Sequence, residues 1–133
     1  ITQHSYMPIL SNQTHALLKE CKAAIVTSGT ATLEAAILKV PQVVCYKTSS
    51  ISYFLAKLVV KVKYIALVNL ICDKEVVKEL IQNDFNVDNL VNELNRFLNK
   101  KNKTQIHSDY ERMIGLIGDD GASQRAAQAI NLI

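Results

Sequence analysis

The residues best suited to chemistry in this sequence lie at one turn, between an apolar run and a helix-forming segment. Residues 23–27 are Ala-Ala-Ile-Val-Thr, and Ser28, Gly29 and Thr30 follow them. The start of a helix attracts anions, because its first backbone N–H groups are unpaired and its dipole is positive there. Glycine allows a ligand to approach the backbone closely. We therefore interpret this turn as a candidate site for a phosphate or diphosphate.

Glu34 lies one turn into the helix that we predict after Thr30. A carboxylate there suits the vicinal hydroxyls of a ribose, as acidic side chains do in dinucleotide sites. A structural interpretation stays open, in which Ser28 or Thr30 caps the helix, Gly29 relieves a tight turn and Glu34 faces water. The turn is not a Walker loop, because the Gly-Lys-Ser/Thr sequence is absent.

The elements around this turn predict an α/β architecture. Apolar runs at residues 23–27 and 42–46 are typical of strands buried on both faces of a parallel sheet, and residues 64–67 form a third extended piece. Helical patterns separate the strands, over residues 13–21 (capped by Ser11 or Asn12), 31–39 and 51–61. This order favours right-handed crossovers, with ligands at the carboxyl edge of the sheet.

The last third of the chain is predicted to be helical. The predicted helices cover residues 90–98 with Asp88 as cap and an apolar core stripe, 106–117 ending at Gly118, and 123–133 capped by Ser123. The lysines at 100, 101 and 103 are interpreted as a solvated loop between helices. No internal repeat is visible, so residues 1–133 are interpreted as a single domain.

Composition excludes several classes of protein. The chain has 133 residues, 49% hydrophobic, with a net charge of +3, which excludes low-complexity and disordered classes and gives no sign of nucleic-acid binding. Cys21, Cys45 and Cys72 form no C-x-x-C pair, so we expect each to be a reduced, buried thiol, in a reducing compartment such as the cytosol. The histidines (His4, His15, His107) lack metal-ligand spacing and are interpreted as surface or packing residues.

Neither a membrane span nor a signal peptide is expected from the sequence. The apolar run at residues 65–72 is interrupted by Asn69 and is far shorter than the ~20 residues that cross a bilayer. The first residue is Ile1 rather than methionine. We therefore expect the sequence to be a piece of a larger protein, or a processed or trimmed chain.

Residues 28–34, Ser-Gly-Thr-Ala-Thr-Leu-Glu, resemble the signature of the lipid-A-disaccharide synthase family, the glycosyltransferases of lipid A assembly. Further blocks resemble the family in the family's order. They are residues 41–47 (Pro-Gln-Val-Val-Cys-Tyr-Lys), 55–57 (Leu-Ala-Lys), 64–71 (Tyr-Ile-Ala-Leu-Val-Asn-Leu-Ile), 76–82 (Val-Val-Lys-Glu-Leu-Ile-Gln) and 121–127 (Gly-Ala-Ser-Gln-Arg-Ala-Ala). The resemblance covers residues 10–133, almost the whole chain.

The resemblance implies a fold and a reaction. The chain would be the C-terminal half of a two-domain GT-B fold, a Rossmann-like three-layer domain that binds the donor nucleotide. The whole enzyme would transfer 2,3-diacylglucosamine from its UDP derivative to 2,3-diacylglucosamine 1-phosphate, with a β-1,6 linkage and inversion. The general base and acceptor groups would lie in a missing N-terminal half. The resemblance thus implies no catalytic residue, metal or cofactor in this chain, which alone would be inactive.

The resemblance also implies roles for individual side chains. Ser28, Gly29 and Thr30 would face the UDP diphosphate, and Glu34 would hold the ribose hydroxyls. Asn69, expected at the end of a third strand, would bond the diphosphate or the donor sugar. Lys47 would add positive charge, and Glu79 and Gln82, expected on one helix turn, would border the nucleotide.

Alternatives stay open at this point. The chain could be part of another GT-B enzyme, such as a UDP-N-acetylglucosamine transferase or 2-epimerase, or a non-catalytic anion-binding or protein-interaction domain. Lys57, Lys61 and Lys63 form either a solvated helix face or a patch against anionic headgroups. We expect a cytoplasmic location, with peripheral contact at the inner face of the cytoplasmic membrane left open. The final helix would pack on the missing half or on a second subunit, which leaves a homodimer open.

Overall fold

A computed structural model of the chain describes residues 8–27, 29–49 and 63–118, together with residues 121, 124, 127, 128 and 130. A parallel sheet carries helices that connect its strands and follow them. The helices are α1 (Thr14–Glu20), α2 (Ala31–Ile37), α3 (Leu67–Cys72), α4 (Val87–Arg96) and α5 (Lys100–Ile117), and the strands are β1 (Ala24–Val26), β2 (Gln42–Tyr46) and β3 (Glu79–Ile81). The described residues therefore confirm the predicted α/β class and its helical C-terminal end.

Strand β2 lies in the middle of the sheet. The strand order is β1-β2-β3, and β2 is parallel to both neighbours. Residues 42–45 of β2 are buried, as the apolar pattern predicted. Because parallel strands run in one direction, the carboxyl ends of all three strands lie at the same edge of the sheet.

Strand β1 departs from the prediction of burial on both faces. The side chain of Ile25 is 54% exposed, whereas Val26 is buried. In the described sheet β1 pairs only with β2, so it is an edge strand with one half-covered face. An apolar run therefore predicted a strand here correctly, but not the position of that strand in the sheet.

The third strand lies elsewhere than predicted. Residues 67–72 form α3 rather than the end of a strand, and Asp73 ends this helix in the left-handed conformation (φ 47°). Strand β3 falls at Glu79–Ile81, where we predicted a helix. Short apolar runs suit either state, and packing decides between them. Leu80 packs with Val43 and Cys45 against the sheet, whereas Val68 and Cys72 pack with α5.

The other helix boundaries differ in detail. Helix α1 begins after Gln13 without a side-chain cap, so the caps predicted from Ser11 or Asn12 are wrong. Asn86, not Asp88, caps α4 by accepting a hydrogen bond from the Asn89 N–H group at 3.0 Å. In the α4 stripe, Leu90 and Phe97 pack against the sheet, but Val91 (47%) and Leu98 (78%) are largely exposed.

The predicted lysine loop is instead the first turn of α5. Asn99 caps this helix by accepting a hydrogen bond from the Lys101 N–H group at 2.9 Å. Basic residues at a helix start are unfavourable to its dipole, but the cap and the buried apolar face of α5 outweigh this cost. Gly118 ends the helix as predicted, with φ 78°. The predicted helix 51–61 lies outside the described residues. Of the predicted helix 123–133, the structure describes residues 124, 127, 128 and 130, all helical.

The three cysteines are free thiols. Cys45 and Cys72 are buried, as predicted, but the burial predicted for Cys21 is wrong, because this residue follows the end of α1 and is partly exposed. Burial raises the pKa of both buried thiols, which keeps them protonated and unreactive. Within the described ranges, no helix combines the length and apolarity that crossing a bilayer requires.

A buried hydrogen-bond chain fastens α5 to the sheet. The Tyr110 hydroxyl, fully buried, donates to the Val40 carbonyl oxygen at 3.2 Å and accepts from Gln42 Nε2 at 3.3 Å. Gln42 Nε2 also donates to the Thr32 carbonyl oxygen at 2.8 Å. Burial raises the pKa of Tyr110 far above its usual range, so the hydroxyl stays neutral and keeps its proton for Val40. These hydrogen bonds therefore link β2, α2 and α5 in the core.

Replacing Tyr110 with phenylalanine should lower the free energy of unfolding by about 1–2 kcal/mol, because the Val40 carbonyl loses its hydroxyl donor in a dry core. Urea unfolding followed by circular dichroism measures the change. Tyr46→Phe, at a partly exposed tyrosine, is the matched control and should change stability by less than about 0.5 kcal/mol. Equal unfolding midpoints for the two variants would contradict the proposed role of the hydroxyl.

Candidate functional site

The turn between β1 and α2 is open to solvent. Gly29 and Thr30 are exposed, and a Cβ atom added to Gly29 would meet nothing within 4 Å. The φ angle of Gly29 is +114°, so the backbone conformation rather than lack of space calls for glycine. Ser28 lies outside the described residues. No neighbouring side chain of the described ranges therefore blocks the corner at Gly29.

The hydrogen bonds of this turn decide part of the structural interpretation. Thr30 stands at the N-cap of α2 but makes no side-chain capping bond. Thr32 does the bonding instead, since its Oγ1 donates to the Gly29 carbonyl oxygen at 2.8 Å. A side-chain capping role for Thr30 is therefore wrong, and its exposed hydroxyl is not engaged by the helix start.

Glu34 projects beside a histidine that the sequence did not single out. Its carboxylate Oε2 lies 3.6 Å from His15 Nε2, and the two side chains are 42% and 71% exposed. Residues 12–16 and Glu34 line an open depression of about 600 Å³. His15 was interpreted as a surface or packing residue, and only the packing of α1 beside α2 brings it to the candidate site.

Lys47 lies on the same edge of the sheet as Gly29. Strand β1 ends at Val26 and its parallel neighbour β2 ends at Tyr46, so Gly29 and Lys47 both follow the carboxyl ends of paired strands. The register between β2 and β3 pairs Tyr46 with Ile81, so the next row holds Lys47 and Gln82. Lys47 is exposed, and no carboxylate of the described ranges lies within 4.0 Å of its ammonium group.

Gln82 does not lie on the helix turn where we predicted it. It follows β3 as the first residue of a short 3-10 turn, Gln82–Asp84, with φ +53°. Its Oε1 accepts from the Thr48 N–H group at 2.9 Å, and its Nε2 donates to the Thr48 carbonyl oxygen at 3.1 Å. Its amide therefore holds the backbone directly after Lys47.

Asn69 lies in the interior, inside α3, not at the end of a strand. Its Oδ1 accepts from the Val76 and Val77 N–H groups at 2.8 and 2.9 Å. Its Nδ2 donates to the Val77 carbonyl oxygen at 2.8 Å and to Glu79 Oε1 at 2.9 Å. Both amide donors and the amide oxygen are therefore engaged within the chain.

Glu79 lies on β3 rather than on a helix, and its carboxylate serves the start of α3. It accepts hydrogen bonds from the Ile65 N–H group at 2.9 Å and from the Ala66 N–H group at 2.9 Å. A negative group at the N-terminus of a helix is stabilising. The positions predicted for Asn69 and Glu79 are wrong. The structure places both in an internal cluster, and their contact with a nucleotide stays a prediction.

The structure thus separates the predicted site residues into two groups. Gly29, Thr30 and Lys47 lie along the carboxyl edge of the sheet, with Glu34 one turn into α2 and Gln82 in the row of Lys47. Asn69 and Glu79 form a second group, joined by a hydrogen bond at the start of β3. No group of three or more His, Cys, Asp and Glu side chains that could hold a metal ion is found among the described residues.

Replacing Asn69 with alanine should lower the free energy of unfolding by about 2–4 kcal/mol, because two backbone N–H groups, a carbonyl and the Glu79 carboxylate all lose a partner. Urea unfolding measures the loss. Asn95→Ala, on the exposed face of α4, is the matched control and should stay within about 0.5 kcal/mol of the unchanged chain. An Asn69 variant as stable as its control would refute the internal role.

Comparison with known proteins identifies a family. The profile of the lipid-A-disaccharide synthetase family matches residues 2–133. The lipid-A-disaccharide synthase of Psychromonas ingrahamii is 44% identical over 96% of this chain and 34% of its own length. The enzyme of Sulfurihydrogenibium sp. is 39% identical over 96% of this chain and 33% of its own length. That of Histophilus somni is 35% identical over 100% of this chain and 36% of its own length.

The chain spans about a third of the length of these relatives. Because the family profile covers almost every residue, the match separates this family from the other glycosyltransferases that the sequence left open. The chain belongs to the lipid-A-disaccharide synthase family.

Proposed function

We propose that this chain is the nucleotide-sugar-binding part of a glycosyltransferase that uses UDP-2,3-diacylglucosamine as its donor. The observation that carries the proposal is the open corner at Gly29 and Thr30, which lies at the same carboxyl edge of a parallel sheet as the exposed Lys47. Ligands of α/β sheets bind at that edge. Family membership supports the UDP-sugar as the ligand.

The corner suits a diphosphate for electrostatic reasons. The backbone N–H groups at Gly29 and Thr30, with the hydroxyls of Ser28 and Thr30, would donate hydrogen bonds to phosphate oxygens. The ammonium of Lys47 would offset part of their charge. When the bond between sugar and UDP breaks, negative charge grows on the leaving diphosphate. Donors already in place stabilise that charge more than they stabilise the ground state, which lowers the barrier.

Glu34 would hold the ribose of the donor. Its carboxylate is 42% exposed and borders the open depression beside α1. Two vicinal hydroxyls can donate to the two oxygens of one carboxylate, and hydrogen bonds to a charged acceptor contribute about 1.5–3 kcal/mol each. His15 Nε2 lies 3.6 Å from one oxygen of this carboxylate.

The remainder of the reaction belongs to a longer polypeptide. We propose that the longer protein binds the acceptor 2,3-diacylglucosamine 1-phosphate, supplies the general base and transfers the sugar with inversion to a β-1,6 linkage. We propose that residues 1–133 form a single nucleotide-sugar domain within it. A cytoplasmic location at the inner face of the membrane and a homodimer are further proposals. Of the three lysines considered for lipid contact, only Lys63 is described, and it lies 3.7 Å from Asp73 Oδ1 and 5.0 Å from the centroid of the Tyr64 ring.

Replacing Glu34 with alanine should weaken UDP binding to this chain by about tenfold or more, because two charge-assisted hydrogen bonds to the ribose are lost. Isothermal titration calorimetry gives the dissociation constants. Glu20→Ala, at an exposed carboxylate on α1, is the control and should leave UDP binding unchanged.

A second ligand isolates the ribose contact. The unchanged chain should prefer UDP to 2′,3′-dideoxyuridine diphosphate, and Glu34→Ala should bind the two equally. A chain that does not bind UDP would refute the proposed function. A Glu34→Ala variant that keeps the preference would refute only the ribose role.

A further inference from the structure

The side chain of Gln82 adds two hydrogen bonds between the segments that follow β2 and β3. It exchanges two hydrogen bonds with the backbone of one residue, accepting from the Thr48 N–H group at 2.9 Å and donating to the Thr48 carbonyl oxygen at 3.1 Å. Both bonds are partly buried, so water competes with them only weakly. The backbone at Thr48 is therefore fixed beyond the end of β2, at Tyr46.

The backbone of Gln82 adopts the left-handed conformation, with φ +53°. This conformation costs a residue other than glycine about 1 kcal/mol or more. The two bonds to Thr48 offset that cost, and they also explain why a long amide side chain stands at this position. A shorter amide would not span the distance to both Thr48 groups.

The residue that Gln82 fixes is the direct neighbour of Lys47. A lysine side chain has four rotatable bonds, and holding it near a ligand costs conformational entropy. A fixed backbone lowers that cost, because the only remaining freedom lies in the side chain itself. Lys47 is exposed and directly follows β2, at the carboxyl edge of the sheet where the diphosphate is proposed to bind.

We propose that Gln82 is a positioning residue for the donor diphosphate: it does not touch the nucleotide but holds the backbone that presents Lys47 to it. This inference rests on the proposed function and changes the role predicted for Gln82 from ligand to support. If Gln82 only stabilised the contact between the segments after β2 and β3, replacing it would change UDP binding by the same factor with and without Lys47.

The test is a double-mutant cycle on UDP and uridine binding to this chain. Lys47→Ala should weaken UDP binding by about tenfold and leave uridine binding unchanged, because only the diphosphate attracts the ammonium. Gln82→Asn should weaken UDP binding by about threefold to fivefold when Lys47 is present and should have no further effect in Lys47→Ala. Gln105→Asn, on α5, is the matched control and should not change UDP binding.

Both replacements at position 82 are compatible with the left-handed backbone there, so a change in UDP binding does not reflect unfolding. Asparagine tolerates the left-handed conformation, and Gln82→Gly, which adopts it without strain, should reproduce the effect of Gln82→Asn. Circular dichroism verifies that each variant is folded.

Two results separate the inference from the proposed function. If the unchanged chain binds no UDP, the proposed function fails and the inference fails with it. Suppose instead that the chain binds UDP but Gln82→Asn weakens UDP binding by the same factor with and without Lys47, or weakens uridine binding equally. Gln82 then has only a structural role, and the inference alone is overturned.

Discussion

The parallel pairing of β2 with both neighbours is the constraint on which the candidate site depends. Strand β2 is buried, and its registers with β1 and β3 are set by the apolar side chains that must face the core. A slip of one residue would exchange the core clusters in which Val43 and Val44 pack. The same parallel pairing brings Gly29, Lys47 and Gln82 to one edge of the sheet, so packing in the core also determines which residues meet there.

A second constraint is the internal cluster of Asn69 and Glu79. Burying a carboxylate and an amide is costly unless their hydrogen bonds are satisfied, and here α3 and β3 satisfy one another. The cluster joins the start of α3 to β3 across ten to fourteen residues of sequence. It thereby fixes the start of β3 against α3, and it links two residues that the sequence suggested only as ligands.

The local parts of this structure were predictable from the sequence. Strand β2 has the predicted bounds, and the turn at Gly29 follows from a buried run ended by small polar residues. The third strand was not predictable, because residues 64–82 contain two apolar runs of similar length and only contacts distant in sequence assign one to α3 and the other to β3. The same limit applies to the site. Glu34 could be proposed from its place in a helix, whereas its neighbour His15 and the bonds from Gln82 to Thr48 depend on tertiary packing.

Binding of the diphosphate at the carboxyl edge of the sheet is tested most directly by a titration of the chain with UDP, followed through the backbone amide signals. We expect the largest shifts at Gly29, Thr30 and Lys47, smaller shifts at Glu34 and Thr48, and no change in α5 beyond Ile106. Shifts centred instead on the groove between α4 and α5, at Lys74, Arg96 and Asp109, would show that the nucleotide binds elsewhere and would refute the site at Gly29.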